Sequence, residues 1–329
     1  MGNYDGMKMS STPSADMMPD LEMRDFMSRQ FAVACAENED FSKARATELI
    51  RHVAEKRIVA RGLLDDRPAV FRVYLDGVAD CARDWEEICR IWPQMREGEL
   101  RVCAPLACAP DCGVLAVADV PGTPLLKWIY GAAEDERARY LKPAARWLRA
   151  YTECSETQAN AQPAGWAKRA ERAAKAQAFN RLKRVEKPIL SEIQRLVPQL
   201  QDSQWRFAVS HGDFHPNNLI VNDNLVTGID CGGSRPAPIY KDMARFLMHM
   251  GRRAMIPSGE MYLGVDKQGF IAFADAFRLS AEERELTLPF FIAVEALLRV
   301  ETRGLSPSRV RRARKMSEAL LEDLERVGR

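Results

Sequence analysis

Four polar residues within one short segment of this 329-residue chain carry the chemistry it can do: His211, Asp213, Asn218 and Asp230. They interrupt the run RFAVSHGDFHPNNLIVNDNLVTGID, which is otherwise largely apolar, where surface residues would be spread more evenly. An amide oxygen and a carboxylate brought together suit Mg²⁺, which takes oxygen ligands and keeps some water and phosphate oxygen. Asn222-Asp223-Asn224 reads as the turn between two short strands. If it is a three-residue loop, Val221 lies opposite Leu225 and Asn218 opposite Gly228. Period-two alternation then puts Leu219, Val221, Leu225, Thr227 and Ile229 on a core face. Asn218, Ile220, Val226, Gly228 and Asp230 share the other face. Asn218 and Asp230 become diagonal neighbours, roughly 7–8 Å apart between backbones. A two-residue loop would separate them. A zinc pair from His211 and His215 would need a helix, which Gly212 and Pro216 oppose.

The elements that must position this segment are legible in outline. Residues 1–38 read as a flexible or helical leader, with a helix possible over Leu21–Ala36. A helix capped by Ser42 is expected over the following residues. Strands fit Arg57–Leu64 and Ala69–Leu75 around the turn-rich Asp65-Asp66-Arg67-Pro68. A helix fits Asp80–Met95, and strands fit Arg101–Ala107 and Val114–Val120. Pro121-Gly122-Thr123-Pro124 is the strongest boundary. Beyond it, helices fit Asp135–Cys154, Gly165–Val185, Pro188–Leu200, Lys241–Arg252, Ala281–Arg303 and Pro307–Val327. The expected class is α+β, with a β-rich lobe over 39–122 joined by a Pro/Gly hinge to a helical lobe over 123–329.

Composition narrows the function classes. Hydrophobic residues make up 47% and charged residues 29%, which suits a soluble globular protein. Lys+Arg 48 against Asp+Glu 46 leaves a formal charge of +2, which argues against gripping nucleic acid by bulk charge. No apolar stretch approaches the ~20 residues of a membrane span. The eight cysteines include C-x4-C-x3-C at Cys103, Cys108 and Cys112, but no zinc set is completed. Thiols in a reducing compartment, the cytoplasm, are the expectation. The oligomeric state is not readable.

His211-x-Asp213-x4-Asn218, with Asp230 ending the next strand and Asp230-Cys231-Gly232 following, resembles the aminoglycoside-phosphotransferase and choline-kinase group. The fold of that group is similar to the protein kinases. The resemblance implies an ATP- and Mg-dependent phosphotransferase acting on a small-molecule hydroxyl. Asp213 would then orient the acceptor hydroxyl and take its proton, while Asn218 and Asp230 would hold Mg²⁺ against the phosphates. His211 would brace the loop, and Asp242 would cap a helix and support it. Arg72 falls where the group places a phosphate-binding lysine, with Glu86 as its helix partner and Glu87 as competitor. Ile220 would underlie adenine, and the backbone of Asp119 and Val120 would meet its edge. No G-x-G-x-x-G precedes the Arg72 strand, so the phosphate-covering loop is unassigned.

Only residues 231–241 separate Asp230 from Asp242, and A-P-E is absent, so a protein kinase is disfavoured. An aminoglycoside-resistance enzyme would need an acidic acceptor cleft, yet residues 251–329 hold 14 basic and 12 acidic groups. A sugar, amino alcohol or related metabolite is the preferred acceptor class. A catalytically inactive nucleotide-binding scaffold is the rival, motivated by the missing glycines and by Arg72.

Overall fold

The computed structural model describes residues 20–75, 77–232, 235–298 and 304–329. The expected leader before residue 20, and residues 299–303 of the expected helix 281–303, lie outside them. The chain forms two compact units. One runs to Trp85 and resumes over Pro105–Asp119; the other comprises Glu86–Ala104 and Val120–Arg329.

The first half of the chain supplies α1 (Asp20–Ala34), β1 (Arg45–Val53), β2 (Arg57–Leu64), β3 (Arg67–Tyr74), α2 (Val78–Met95), β4 (Leu100–Val102), β5 (Pro105–Ala109) and β6 (Val114–Ala118). In the first unit an antiparallel sheet runs in the order β1-β2-β3-β6-β5. Alternation sets its inner face: Ile58, Ala60 and Leu64 from β2, and Ala69, Phe71 and Val73 from β3, are buried. Met23, Met27, Phe31 and Ala34 recur at helical spacing along α1 and join the same core. Leu64 pairs with Arg67, so Asp65 and Asp66 alone make the turn, both with φ above zero. That is the two-residue hairpin geometry whose twist matches its strands.

Two expectations fail here. The segment after Ser42 is not a helix: a short 3-10 turn (Glu39–Lys43) leads into β1. Bulges between Ala46 and Glu48 and between Leu49 and Arg51 stretch the strand's period. Ala46 and Leu49, which both pack on the core, therefore fall at helix-like spacing. The expected strand Arg101–Ala107 is two strands. β4 pairs in parallel with a strand of the second unit, while β5 pairs with β6 in the first.

The second unit continues with β7 (Thr123–Pro124), α3 (Leu125–Gly131), α4 (Leu141–Glu153), β8 (Thr157–Asn160), α5 (Pro163–Lys175), α6 (Asn180–Leu200), β9 (Gln204–Val209), β10 (Leu219–Asn222), β11 (Leu225–Gly228), β12 (Pro236–Pro238) and α7 (Tyr240–Gly251). It closes with β13 (Met261–Tyr262), β14 (Val265–Asp266), α8 (Lys267–Ala276), α9 (Leu288–Leu298) and α10 (Pro307–Leu324). The break expected before Pro188 lies instead at 176–179. There Gln177 Oε1 accepts from Phe179 N at 3.1 Å and its amide donates to buried Glu186 at 2.7 Å. Helix α6 runs through Pro188 and Pro198. Among the described residues, no helix is long and apolar enough to cross a membrane.

β10 and β11 form the hairpin that carries the site, in a sheet of order β4-β11-β10-β7. Its loop has two residues, not three: Asn222 pairs with Leu225, Val221 with Val226, Ile220 with Thr227 and Leu219 with Gly228. Asp223 takes φ +50 in the turn. Leu219, Val221 and Val226 therefore face the core together. Gly228 faces it too, because a Cβ there would sit 1.9 Å from Trp147 Cζ2. Val226 and Gly228 are thus on the opposite face from the one expected.

Candidate active site

The loop between β9 and β10 is held from two sides. Asp242, in the first turn of α7, accepts from the backbone N–H of His211 at 2.7 Å and of Gly212 at 3.3 Å. His211 is fully buried among Trp147, Tyr151 and Phe214, and its Nε2 lies 3.1 Å from the Ile229 carbonyl. With Nε2 donating there, the ring ties the loop to the strand that leads into Asp230. Among the described residues, no group of three or more His, Cys, Asp or Glu side chains joins His211 and His215 in a zinc set.

Asp213 follows Gly212, whose φ of +79 bends the chain outward. Its side chain is 46% exposed, so its carboxylate can meet a solute. Arg245, on α7, donates from Nε at 2.9 Å and also from Nη2, both to Oδ1. His215 Nε2 stands 3.4 Å from the same oxygen. Burial pushes the His215 ring below the usual histidine range, although Asp213 opposes the shift. His249 stacks on it with ring centroids 4.5 Å apart, and burial lowers its pKa further, with Arg253 adding to the effect. Both rings are therefore neutral near pH 7. Arg245 Nη1 lies 3.4 Å from Glu295 Oε1, and burial raises the pKa of Glu295 to about 7 with Arg245 opposing.

Asn218 ends a one-turn 3-10 helix (Pro216–Asn218) and donates its side-chain amide to the Asp213 carbonyl at 3.0 Å. This fixes the side chain and orients Oδ1 as its remaining acceptor. The Asn218 carbonyl accepts from Ile229 N at 2.9 Å, which sets Asn218 beside the residue preceding Asp230. Both residues lie outside the regular hairpin. Asp230 has φ +61, a left-handed conformation that costs a non-glycine residue about 1–2 kcal/mol and is easier for Asp than for most. Strand alternation therefore does not govern where either side chain points, and the two-residue loop does not separate the two backbones. An amide oxygen and a carboxylate are hard donors, which fits Mg²⁺ rather than a thiophilic metal.

Ile220 is buried but lies outside the core cluster, on the hairpin face away from Leu219 and Val221. Val120 is half-buried. In the first unit, Arg72 is buried on β3 with Nη1 3.7 Å from Asp84. Glu86, its expected partner, is exposed on α2. The inward glutamate is Glu87, which receives Tyr151 Oη and pairs with Arg90 at 2.7 Å. Asp119 accepts from Arg61 Nε at 3.0 Å, and its N–H is taken by the Pro68 carbonyl. Arg245 and Glu295 were not anticipated. Arg245 comes three residues after Asp242, so helical spacing sets both on the side of α7 that meets the loop. Glu295, the lone charge in the apolar run LPFFIAVEALL, was the second available signal.

A family model described as the phosphotransferase enzyme family (APH) matches residues 47–271. Among curated protein sequences, none matches the chain significantly. Solved structures share the fold at low identity. A thermostable mutant of aminoglycoside phosphotransferase APH(4)-Ia is 13% identical with a TM-score of 0.58, covering 91% of this chain and 99% of its own. A microcompartment-associated aminopropanol kinase is 15% identical with a TM-score of 0.57, covering 92% and 97%. Choline kinase LicA from Streptococcus pneumoniae is 12% identical with a TM-score of 0.51, covering 89% and 99%. The α+β, protein-kinase-like fold expected from the motif is the fold found.

Proposed function

Because the chain belongs to the phosphotransferase enzyme family, we propose that it transfers the γ-phosphoryl group of ATP, with Mg²⁺, to a hydroxyl of a small molecule in the cytoplasm. One observation carries this reading. A half-exposed Asp213 carboxylate, clamped at one oxygen by Arg245, sits on the same braced loop as Asn218, whose backbone adjoins the residue before Asp230.

Asp213 accepts a hydrogen bond from the acceptor alcohol, orients it and takes its proton late in the transfer. Asn218 Oδ1 and the Asp230 carboxylate are the ligands proposed for Mg²⁺. When bound, the magnesium nucleotide supplies the phosphoryl group and offsets the charge that develops on its oxygens. His211 and Asp242 hold the loop so that these groups need not reorganise. Ile220 is proposed to underlie adenine, and Val120 with the Asp119 carbonyl to meet its edge. Arg72 is proposed to bind phosphate oxygens, with Asp84 fixing its guanidinium. The eight cysteines, all among the described residues, form no disulfide, which suits a reducing compartment. A sugar, amino alcohol or related metabolite is the acceptor class proposed, in preference to a polycationic drug.

A second reading is a nucleotide-binding scaffold without turnover. It is favoured by the β1–β2 turn, Ala54-Glu55-Lys56, which contains no glycine and has Glu55 at φ +60. Incubation with Mg·ATP and a panel of sugars, amino alcohols and nucleosides, read by product mass, separates the two. A phosphorylated acceptor is expected. Nucleotide binding with no product across the panel would favour the scaffold.

A further inference from the structure

We infer that Arg245 and Glu295 form a buried clamp that positions the Asp213 carboxylate for phosphoryl transfer. Arg245 is the positioning residue, Glu295 its anchor, and the role rests on the phosphotransferase reading above. The geometry is specific. Two guanidinium N–H groups converge on Oδ1, through Nε at 2.9 Å and Nη2, which fixes rotation of the carboxylate about its Cβ–Cγ bond.

The third guanidinium nitrogen, Nη1, reaches Glu295 on α9 at 3.4 Å. The gradient of exposure runs inward: the Asp213 side chain is 46% exposed, Arg245 14% and Glu295 4%. Glu295 is flanked by Phe290, Phe291, Ile292, Ala293, Val294, Ala296 and Leu297, all buried. An acid in that setting is costly and would pack better as leucine if the helix needed only stability. What the acid does there is hold Arg245 in one rotamer. Asp242 and Arg245 then divide the work of α7, one fixing the loop backbone at His211 and Gly212, the other fixing the side chain at Asp213.

A tie that merely joins α7 to α9 would change stability but not the chemical step. The test is the kinetics of Arg245→Ala, Arg245→Lys and Glu295→Gln with Mg·ATP and a turned-over acceptor. Misplacement of a catalytic group by an ångström costs about 10²-fold. Arg245→Ala is therefore expected to lose about 10²-fold in kcat with the nucleotide KM little changed. Added guanidinium salt should restore part of that loss, and Arg245→Ala should cost little more in an Asp213→Asn background. Glu295→Gln should show a smaller loss of kcat than Arg245→Ala. Unchanged kcat in Arg245→Ala, or equal losses with and without Asp213, would overturn the clamp.

If Arg245→Ala does not fold, Arg245→Lys and Glu295→Gln decide by the same split between kcat and KM. If the parent itself gives no turnover, it is the transferase reading that fails. The clamp then stands or falls on a double-mutant unfolding cycle of Arg245→Lys with Asp213→Asn. Measurable coupling is expected, and strict additivity would remove the contact.

Discussion

Replacing Asp242 by alanine should destabilise the protein by an amount that the local geometry sets. The carboxylate is buried, and its Oδ2 accepts from two backbone donors, His211 N at 2.7 Å and Gly212 N at 3.3 Å. A buried polar group left unpaired costs roughly 1–3 kcal/mol, with charge-assisted bonds at the upper end. The short contact belongs near the top of that range and the long one near the bottom, so Asp242→Ala should cost roughly 3–4 kcal/mol. Asp242→Asn keeps an oxygen for both donors but directs an amide to where Oδ1 now has no partner among the described residues. Its cost should be smaller, roughly 1–2 kcal/mol. Urea unfolding followed by tryptophan fluorescence is the assay, since Trp147 packs on His211 with ring centroids 5.9 Å apart. An alanine variant within about 0.5 kcal/mol of the parent would refute the brace. An asparagine variant as damaged as the alanine one would show that volume, not acceptance, is what matters.

Gly228→Ala should cost at least the roughly 1–3 kcal/mol of an overpacked core, because the new Cβ would sit 1.9 Å from Trp147 Cζ2. The indole cannot retreat, being stacked between Tyr151 and Phe214 and bonded through Nε1 to the Arg101 carbonyl at 2.6 Å; an unfolding midpoint equal to the parent's would contradict this. Glu295→Gln should change how stability depends on pH. The folded pKa of Glu295 is raised from 4.5 to about 7, so the native state keeps a proton that the unfolded chain releases, and stability falls as pH rises through that window. The variant lacks this fall and should gain roughly 3 kcal/mol relative to the parent between pH 4.5 and pH 8. His215 and His249, depressed from 6.5, act with the opposite sign, so the difference between variant and parent is the quantity to measure. Asp230→Ala should abolish magnesium-linked nucleotide binding in a calorimetric titration, and an unchanged Mg·ATP affinity would remove Asp230 as a ligand.

The parts of the fold that follow simple periods were legible. β2 alternates cleanly between Ile58 and Leu64, and the four-residue recurrence from Met23 to Phe31 marks α1. Irregular backbone hid the rest. Two bulges made β1 look helical, and Pro188 looked like a helix end although the chain breaks eight residues or more before it. The hairpin register was misjudged by counting Asn222 as loop when it forms the last pair with Leu225. That slip moved Val226 and Gly228 to the wrong face, but the Asn218 backbone still adjoins Ile229, the residue before Asp230, since a 3-10 turn and a left-handed φ take Asn218 and Asp230 out of the alternation. Glu86 against Glu87 could not be settled by spacing, because neighbours on a helix differ by about 100° and only packing chooses between them. Arg245 contacts Asp213 across 32 positions of sequence, and such a pairing is fixed by how α7 docks rather than by a local pattern.

Comparing Asp213→Asn with the parent probes most directly whether this loop performs phosphoryl transfer. The measurement is the steady-state rate with Mg·ATP and an acceptor that the parent phosphorylates, alongside the nucleotide affinity of each protein. Asparagine keeps the size of the side chain but cannot take the alcohol's proton. The rate should drop by roughly 10²–10⁴ while nucleotide affinity stays nearly the same. A variant that turns over at the parent's rate would mean that Asp213 is not the base and that the braced loop serves some other purpose.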